Sequence, residues 1–312
     1  MQKRSRQVTG RGPVMLALGL LLAVVGCRER EPASSPASDA PPATARRIVC
    51  GSPAITEIVF ALGCGDRVVG VSDYTIYPPE ALRKQRVGGR IDPNRERLLV
   101  LQPDIIISQG LRDTIGQFAE TYGIGFHSVK LDTLADIHAA VDSIAAVLGV
   151  PGRGRELNAG IRSALQGIRT RAAAASASPP RTLLVFGRTP GNLGGLATTG
   201  PGTFLHDLIG IAGGTNIFGD ATGAYPQISK EALLLREPEV ILEINPGSPP
   251  PKTLTRLRND WQAFPDLPAV RNGRIHYLTN DFLLIPGPRI GLIAEELARA
   301  IAPSRFRSQS SP

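Results

Sequence analysis

The sequence predicts an α/β protein built as two α/β lobes with mainly parallel sheets, joined by a long backbone helix. Three observations carry this. From about Arg46 onward, short apolar strands alternate with amphipathic helices, the pattern of layered α/β folds. Ile105-Ile106-Ile107 is apolar at every position, as in a parallel strand covered on both faces. One stretch of the first half also returns in the second. NRERLLVLQPDIII (94–107) and SKEALLLREPEVIL (229–242) each place a Leu-Leu pair two residues after a Glu, a Pro seven residues after it, then an acid and an apolar strand. Such an echo, once per half, points to two lobes of similar construction.

The elements follow in order. Lys3, Arg4, Arg6 and Arg11 precede the uncharged run PVMLALGLLLAVVG, which stops at Cys27. A basic start, a short apolar run and a small residue at the cut make residues 1–26 a secretory signal peptide. The run falls short of the roughly 20 residues that span a bilayer as a helix. Val24 to Cys27 resembles the bacterial lipobox, which implies lipidation of Cys27. Residues 27–45 contain no large apolar side chain and read as a flexible, lipid-anchored linker.

The first lobe is expected over 46–150. Its strand Arg47–Cys50 leads to a helix over Pro53–Leu62, whose Ile55, Ile58, Val59 and Leu62 recur at helical spacing before the stop signal Gly63. Strands follow at Val68–Val71, Asp104–Ser108 and Gly125–Lys130, then a helix at Leu134–Leu148. The linking helix occupies 151–178, with Leu157, Ile161, Leu165 and Ile168 as its stripe. Its core, Gly152 to Ala177, would run about 40 Å, enough to cross between lobes, and Pro179-Pro180 ends it. The second lobe, 179–305, restarts with a strand at Thr182–Phe186, and 306–312 read as a disordered tail. Export allows a disulfide between Cys50 and Cys64, but an intervening helix of about 15 Å against the roughly 7 Å a disulfide spans favours two free, buried thiols.

Several function classes lose support. The formal charge of +8 falls to +4 without the leader's basic residues, with 31 Lys+Arg against 27 Asp+Glu, all scattered; nucleic-acid binding is not expected. His127, His138, His206 and His276 show no paired spacing, so no direct metal site is expected. No G-x-S-x-G, Walker A or H-E-x-x-H motif occurs, and GRTPGNLGG (187–195) lacks dinucleotide-binding spacing and reads as a lobe-edge loop; the chain reads as no enzyme. Glu96 and Glu231 fall in the first turns of helices capped by Asn94 and Ser229, where the helix dipole favours a carboxylate.

RIVCGSPAITEIVFALGCGDRVVGVSDYTIYPPEA (47–81), VGGRIDPNRERLLVLQPDIII, GPGTFLHDLIGIAGGTNIFGD (200–220), YPQISKEALL and FLLIPGPRIGLIAEELARAI together resemble class III periplasmic binding proteins. This group includes the vitamin B12, ferric-siderophore and haem receptors of ABC importers, and the resemblance covers about Arg46 to Ile301. It implies a ligand cleft between the lobes, a rigid linking helix, and docking of Glu96 and Glu231 on arginines of the permease subunits. It places Tyr77, Tyr225, Phe282 and Arg289 in the cleft. Tyr74, in the same loop as Tyr77, and Arg90, ahead of the first glutamate-bearing helix, join them as candidates. Arg90 and Arg289 suit an anionic or amide-rich ligand, or else are solvated surface charges. Some haem receptors have Tyr where this chain has Arg90, which moves haem behind corrinoid and siderophore. The expectation is a monomeric, membrane-anchored receptor without a cofactor of its own, carrying a metal chelate to an ABC importer, with cobalamin favoured. The reading outside the family is an interaction or structural lipoprotein with no small ligand.

Overall fold

The computed structural model describes residues 45–110, 114–174, 178–189, 191, 193–247 and 249–306. The signal peptide, Cys27 and the linker up to residue 44 lie outside them. In the first half, β1 (Ile48–Cys50), α1 (Pro53–Ala61), β2 (Val68–Val71), β3 (Gln85–Arg86), α2 (Arg95–Leu101), β4 (Ile105–Gln109), α3 (Thr114–Thr121), β5 (Gly125–Val129) and α4 (Leu134–Val147) follow one another. The strands form a parallel sheet in the order β3-β2-β1-β4-β5. Side chains alternate across a strand, so Ile48, Cys50, Ile105 and Ile107 pack with the residues of α1 and α4, while Val49 and Ile106 pack with Leu98 of α2 and Ile115 and Phe118 of α3. Two covered faces explain why these strands are apolar throughout.

Helix α1 begins where the Ser52 hydroxyl accepts a bond from the Ile55 N–H. It ends at Gly63, whose φ of +68° lets Gly63 N–H reach the Phe60 carbonyl and Cys64 N–H the Val59 carbonyl at 2.8 and 3.0 Å. Cys50 and Cys64 are buried and unbridged, and burial pushes the Cys50 thiol up to about 12.

The long helix, α5 (Pro151–Ala173), has 23 residues, about 35 Å of rise, and stops four residues short of Ala177. Its buried stripe is Gly154, Asn158, Ile161, Leu165, Ile168 and Ala172. Leu157 packs half-buried against the same apolar cluster as Ile161, Leu165 and Ile168, and Asn158 beside it is fully buried. There its Oδ1 accepts from His138 Nδ1 at 2.6 Å and its Nδ2 donates to the His138 carbonyl at 2.9 Å. Gly154 permits the close approach to α4, since a Cβ there would meet Ala145 Cβ at 2.6 Å.

The second half runs β6 (Arg181–Gly187), β7 (Leu196–Thr198), α6 (Phe204–Ile211), β8 (Thr215–Asn216), β9 (Gln227–Ile228), α7 (Lys230–Arg236), β10 (Val240–Ile244), α8 (Pro251–Asp260), α9 (Pro268–Arg271), β11 (Ile275–Leu278), α10 (Ile290–Ile301) and α11 (Pro303–Phe306). Its sheet is ordered β11-β10-β6-β7-β9, with β8 also on β6. Strands β6, β8, β10 and β11 are parallel, while β7 runs antiparallel to both neighbours. One face packs Leu184, Leu242 and Leu278 against α6 and α10, and the other packs Leu183, Val185 and Ile241 around Trp261 and Leu233. A single apolar cluster runs from α1 and α4 through Ile161, Leu165 and Ile168 of α5 to α6 and α10, so α5 glues the lobes through their cores.

At the two ends of the described residues, Ala45 and Phe306 are both buried. The Phe306 ring is covered by the Arg171 guanidinium at 4.4 Å, a cation–π contact that ties α11 to α5; residues 307–312 lie outside the described ones.

Candidate ligand-binding cleft

Open α/β sheets present their working loops at the carboxyl ends of parallel strands. In the first lobe the loop after β2 is built from below. Thr75 Oγ1 lies 3.2 Å from Ser72 Oγ and 3.3 Å from Thr56 Oγ1, all three residues buried. Arg86 Nη1 donates to the carbonyls of Ser72 and Thr75 at 2.9 and 2.6 Å. With its polar atoms satisfied inward, this loop holds Tyr74, Ile76 and Tyr77 outward, at 69%, 52% and 40% exposure. The Asp73 carboxylate accepts from Gly88 N–H at 2.9 Å, knitting the loop to the one before α2. Tyr74 lies against Gly89, 3.1 Å from where a Cβ would stand, and Arg90 Nη1 reaches within 3.8 Å of the corresponding point on Gly110, after β4. Arg90 itself is exposed.

In the second lobe Tyr225, half in solvent, stands edge-on to Phe186 at the end of β6, with centroids 5.7 Å apart. Burial, and then the charge of Asp132, push its phenol up. Phe282 and Arg289 flank the loop after β11. Arg289 is not a solvated surface charge, since carboxylates of both lobes engage it. Its Nη2 and Nε reach Glu57 Oε1 and Oε2 of α1 at 2.6 and 2.9 Å, and Nη1 reaches Asp281 Oδ1 at 3.2 Å. The guanidinium also faces Tyr77 at 4.1 Å and Phe282 at 5.4 Å. Burial pushes the Glu57 carboxyl up against the pull of Arg289; burial opposes the Arg289 charge, but Glu57 and Asp281 hold its pKa above the usual value. A pocket of about 370 Å³ opens here, lined by Glu57, Phe60, Tyr77, Glu80, Pro288 and Arg289 among others. A larger groove of about 680 Å³ follows the flank of the second lobe beside His206, Asn216 and Asp220, and none of the candidate residues lines it.

The structure therefore gathers Tyr77, Phe282 and Arg289 around one inter-lobe contact, and Tyr74 with Arg90 along the adjoining rim. Tyr225 stands with Phe186. Glu96 and Glu231 lie apart from these loops, exposed in the first turns of α2 and α7. Glu57 and Asp281 escaped sequence reasoning, since a Glu inside an amphipathic helix carries no signal of a partner 232 residues away. A second omission is a buried network behind the loop after β6. Arg188 reaches Glu243 Oε1 at 2.8 Å, Asp260 Oδ2 at 2.6 Å and the Leu257 carbonyl at 2.9 Å, and Trp261 Nε1 donates to Glu243 at 2.8 Å. Among the described residues no group of three or more His, Cys, Asp or Glu is placed to hold a metal ion, and no helix is long and apolar enough to cross a membrane.

A family model described as periplasmic binding protein matches residues 48–282. A vitamin B12-binding protein of Vibrio cholerae serotype O1 is 32% identical over 257 residues, covering 82% of this chain and 88% of that protein. The solved periplasmic vitamin B12-binding protein of Vibrio cholerae superposes with a TM-score of 0.68 at 28% identity, over 85% of this chain and 99% of that one. A periplasmic heme-binding protein from Roseiflexus sp. RS-1, in its apo form, reaches 0.69 at 28% identity, over 83% and 99%.

Proposed function

The chain belongs to the periplasmic binding protein family, and on that premise we propose that it is the substrate-binding lipoprotein of an ABC importer. It captures a metal chelate, cobalamin favoured, in the cleft between its lobes. The observation that carries this is the pairing of aromatic faces on both lobes: Tyr74 and Tyr77 on one, after β2, and on the other Phe282, after β11, with Tyr225 against Phe186 at the end of β6. Broad apolar faces with a few fixed polar groups suit a large, flat, amide-fringed ligand. The named ligand of the 32%-identical relative supports a corrinoid. Haem is the second reading, supported by the solved haem-binding neighbour; a ferric siderophore is a third cargo of the same chemistry. Export with a lipid on Cys27, and delivery as a monomer with no cofactor of its own, belong to the same proposal.

Glu96 and Glu231 are the docking charges for the permease. Two exposed carboxylates, one per lobe, set orientation and encounter rate more than affinity. Reversing both charges is expected to abolish cellular uptake while ligand affinity stays intact; a loss of affinity would overturn the docking role.

Calorimetric titration of the purified full chain with cyanocobalamin, then haemin, then ferric siderophores tests the cargo. Cobalamin binding below about 1 μM, near 8 kcal/mol, is the expected result. Binding of haemin or a siderophore alone would replace the cargo, and silence with every ligand would return the chain to a structural or interaction lipoprotein.

A further inference from the structure

We infer that Glu57 is a positioning residue: through its ion pair with Arg289 it latches the second lobe onto α1 of the first and sets the aromatic face that Tyr77 presents. This rests on the proposed reading that ligand is held between the lobes.

The geometry is that of a joint. Both Glu57 oxygens are engaged by the guanidinium fork, at 2.6 and 2.9 Å, across 232 residues of chain. A forked pair fixes angle as well as distance. The side chains are 2% and 12% exposed. A buried pair of this kind is a poor source of stability compared with apolar packing, and registry between elements is its better attested use. The loop carrying Arg289 lies directly on α1, since a Cβ on Gly287 would be 3.5 Å from Glu57 Oε2 and 3.7 Å from the Ala54 carbonyl.

Among the described residues the lobes also meet elsewhere. Helix α5 packs into both cores, the Phe204 N–H donates to the Asp132 carbonyl at 2.6 Å, and the Leu134 N–H donates to the Asp207 carboxylate at 3.4 Å. Each of these involves a core or a main-chain group. The Glu57–Arg289 joint is made by side chains alone, so it can open without unfolding either lobe, as a hinge closure requires. It is also the joint that touches candidate cleft residues, because the Arg289 guanidinium lies against Tyr77 and Phe282. Opening it removes the cation from behind both rings and frees the Tyr77 loop from the second lobe.

The test needs no ligand. Spin labels at Val100→Cys on α2 and Leu235→Cys on α7, both more than 80% exposed in the native residues, report the inter-lobe distance by double electron–electron resonance in the full chain with Cys27→Ser. Glu57→Gln is expected to shift and broaden the distance distribution. Arg289→Lys, which keeps the charge and loses the fork, is expected to fall between that variant and the parent. Distributions unchanged in both variants, even with a lowered melting temperature, would mean a merely structural pair and would overturn the latch. Should Glu57→Gln fail to fold, Arg289→Lys decides alone, an unchanged distribution overturning the latch. Failure of the ligand-binding reading registers separately, as silence in the calorimetric titrations.

Discussion

In the first lobe α2 runs between Asn94 and Gln102, in the second α7 between Ser229 and Glu237, and the framing contacts of one recur in the other. Asn94 accepts from Arg97 N–H and Ser229 from Ala232 N–H, at 3.0 and 3.2 Å. Leu98 and Leu233 are fully buried, while Val100 and Leu235 stand at 81% and 84% exposure. Both helices end at a left-handed residue that is not glycine, Gln102 at φ +42° and Glu237 at φ +40°, followed by Pro103 or Pro238. The acid that comes next pins the neighbouring strand: Asp104 accepts from Arg46 and Arg47 N–H, and Glu239 from Arg181 N–H. Two of the loops above these frames are held differently. The first lobe holds its rim with buried hydroxyls, Ser72, Thr75 and Thr56. The second uses a charged network around Arg188, whose side chain is 2% exposed, as is that of Glu243. The frame is duplicated, and the lobes diverge where they face each other.

The largest effect expected from that contrast is at Arg188. Arg188→Met leaves the buried Glu243 and the partly buried Asp260 without their cation and should cost about 3–5 kcal/mol in urea unfolding. In the first lobe Thr75→Val should cost only about 1 kcal/mol; equal losses would erase the contrast. The pH profile sharpens it. Burial raises the Asp260 carboxyl, but Arg188 and the Gly191 N–H outweigh it and hold it below its usual value of 3.8. A depressed folded pKa stabilises the fold above the unfolded value, and that contribution is lost as pH falls through the folded one. Acid should therefore destabilise the parent more than Arg188→Met over the range below 3.8.

The duplicated frame makes smaller, paired predictions. Asn94→Ala and Ser229→Ala should each cost about 1 kcal/mol. Gln102→Gly and Glu237→Gly, which relieve a left-handed conformation that disfavours a Cβ, should each stabilise by about 0.5 kcal/mol. Thermal melts that differ clearly within either pair would break the equivalence of the two frames.

The same contrast explains what could be read in advance. Strands β1, β2, β4, β6 and β10, helix α1 and the capped glutamate helices were legible because their signals are local: apolar runs, cap residues, a stop glycine, and a Pro-acid pair at matched spacing. The candidate aromatics were legible as Tyr and Phe in Pro- and Gly-rich loops. The partners of Arg289 were not, since Glu57 sits among the apolar residues of α1 and nothing near it announces a cation from the other lobe. Arg188 was hidden the same way, inside a loop that local composition marks only as Gly-rich. Asn158 shows the limit of periodicity, because a polar residue took an inner place where a hydrogen-bond partner, His138, was waiting.

Capture between the two lobes requires that residues of both hold the ligand, and the affinities of one variant from each lobe decide it. Tyr77→Ala and Tyr225→Ala, titrated with cyanocobalamin beside the parent chain, should each weaken binding about tenfold or more, or about 1.4 kcal/mol. Binding weakened by one variant and untouched by the other would place the ligand on a single lobe and rule out capture between the two.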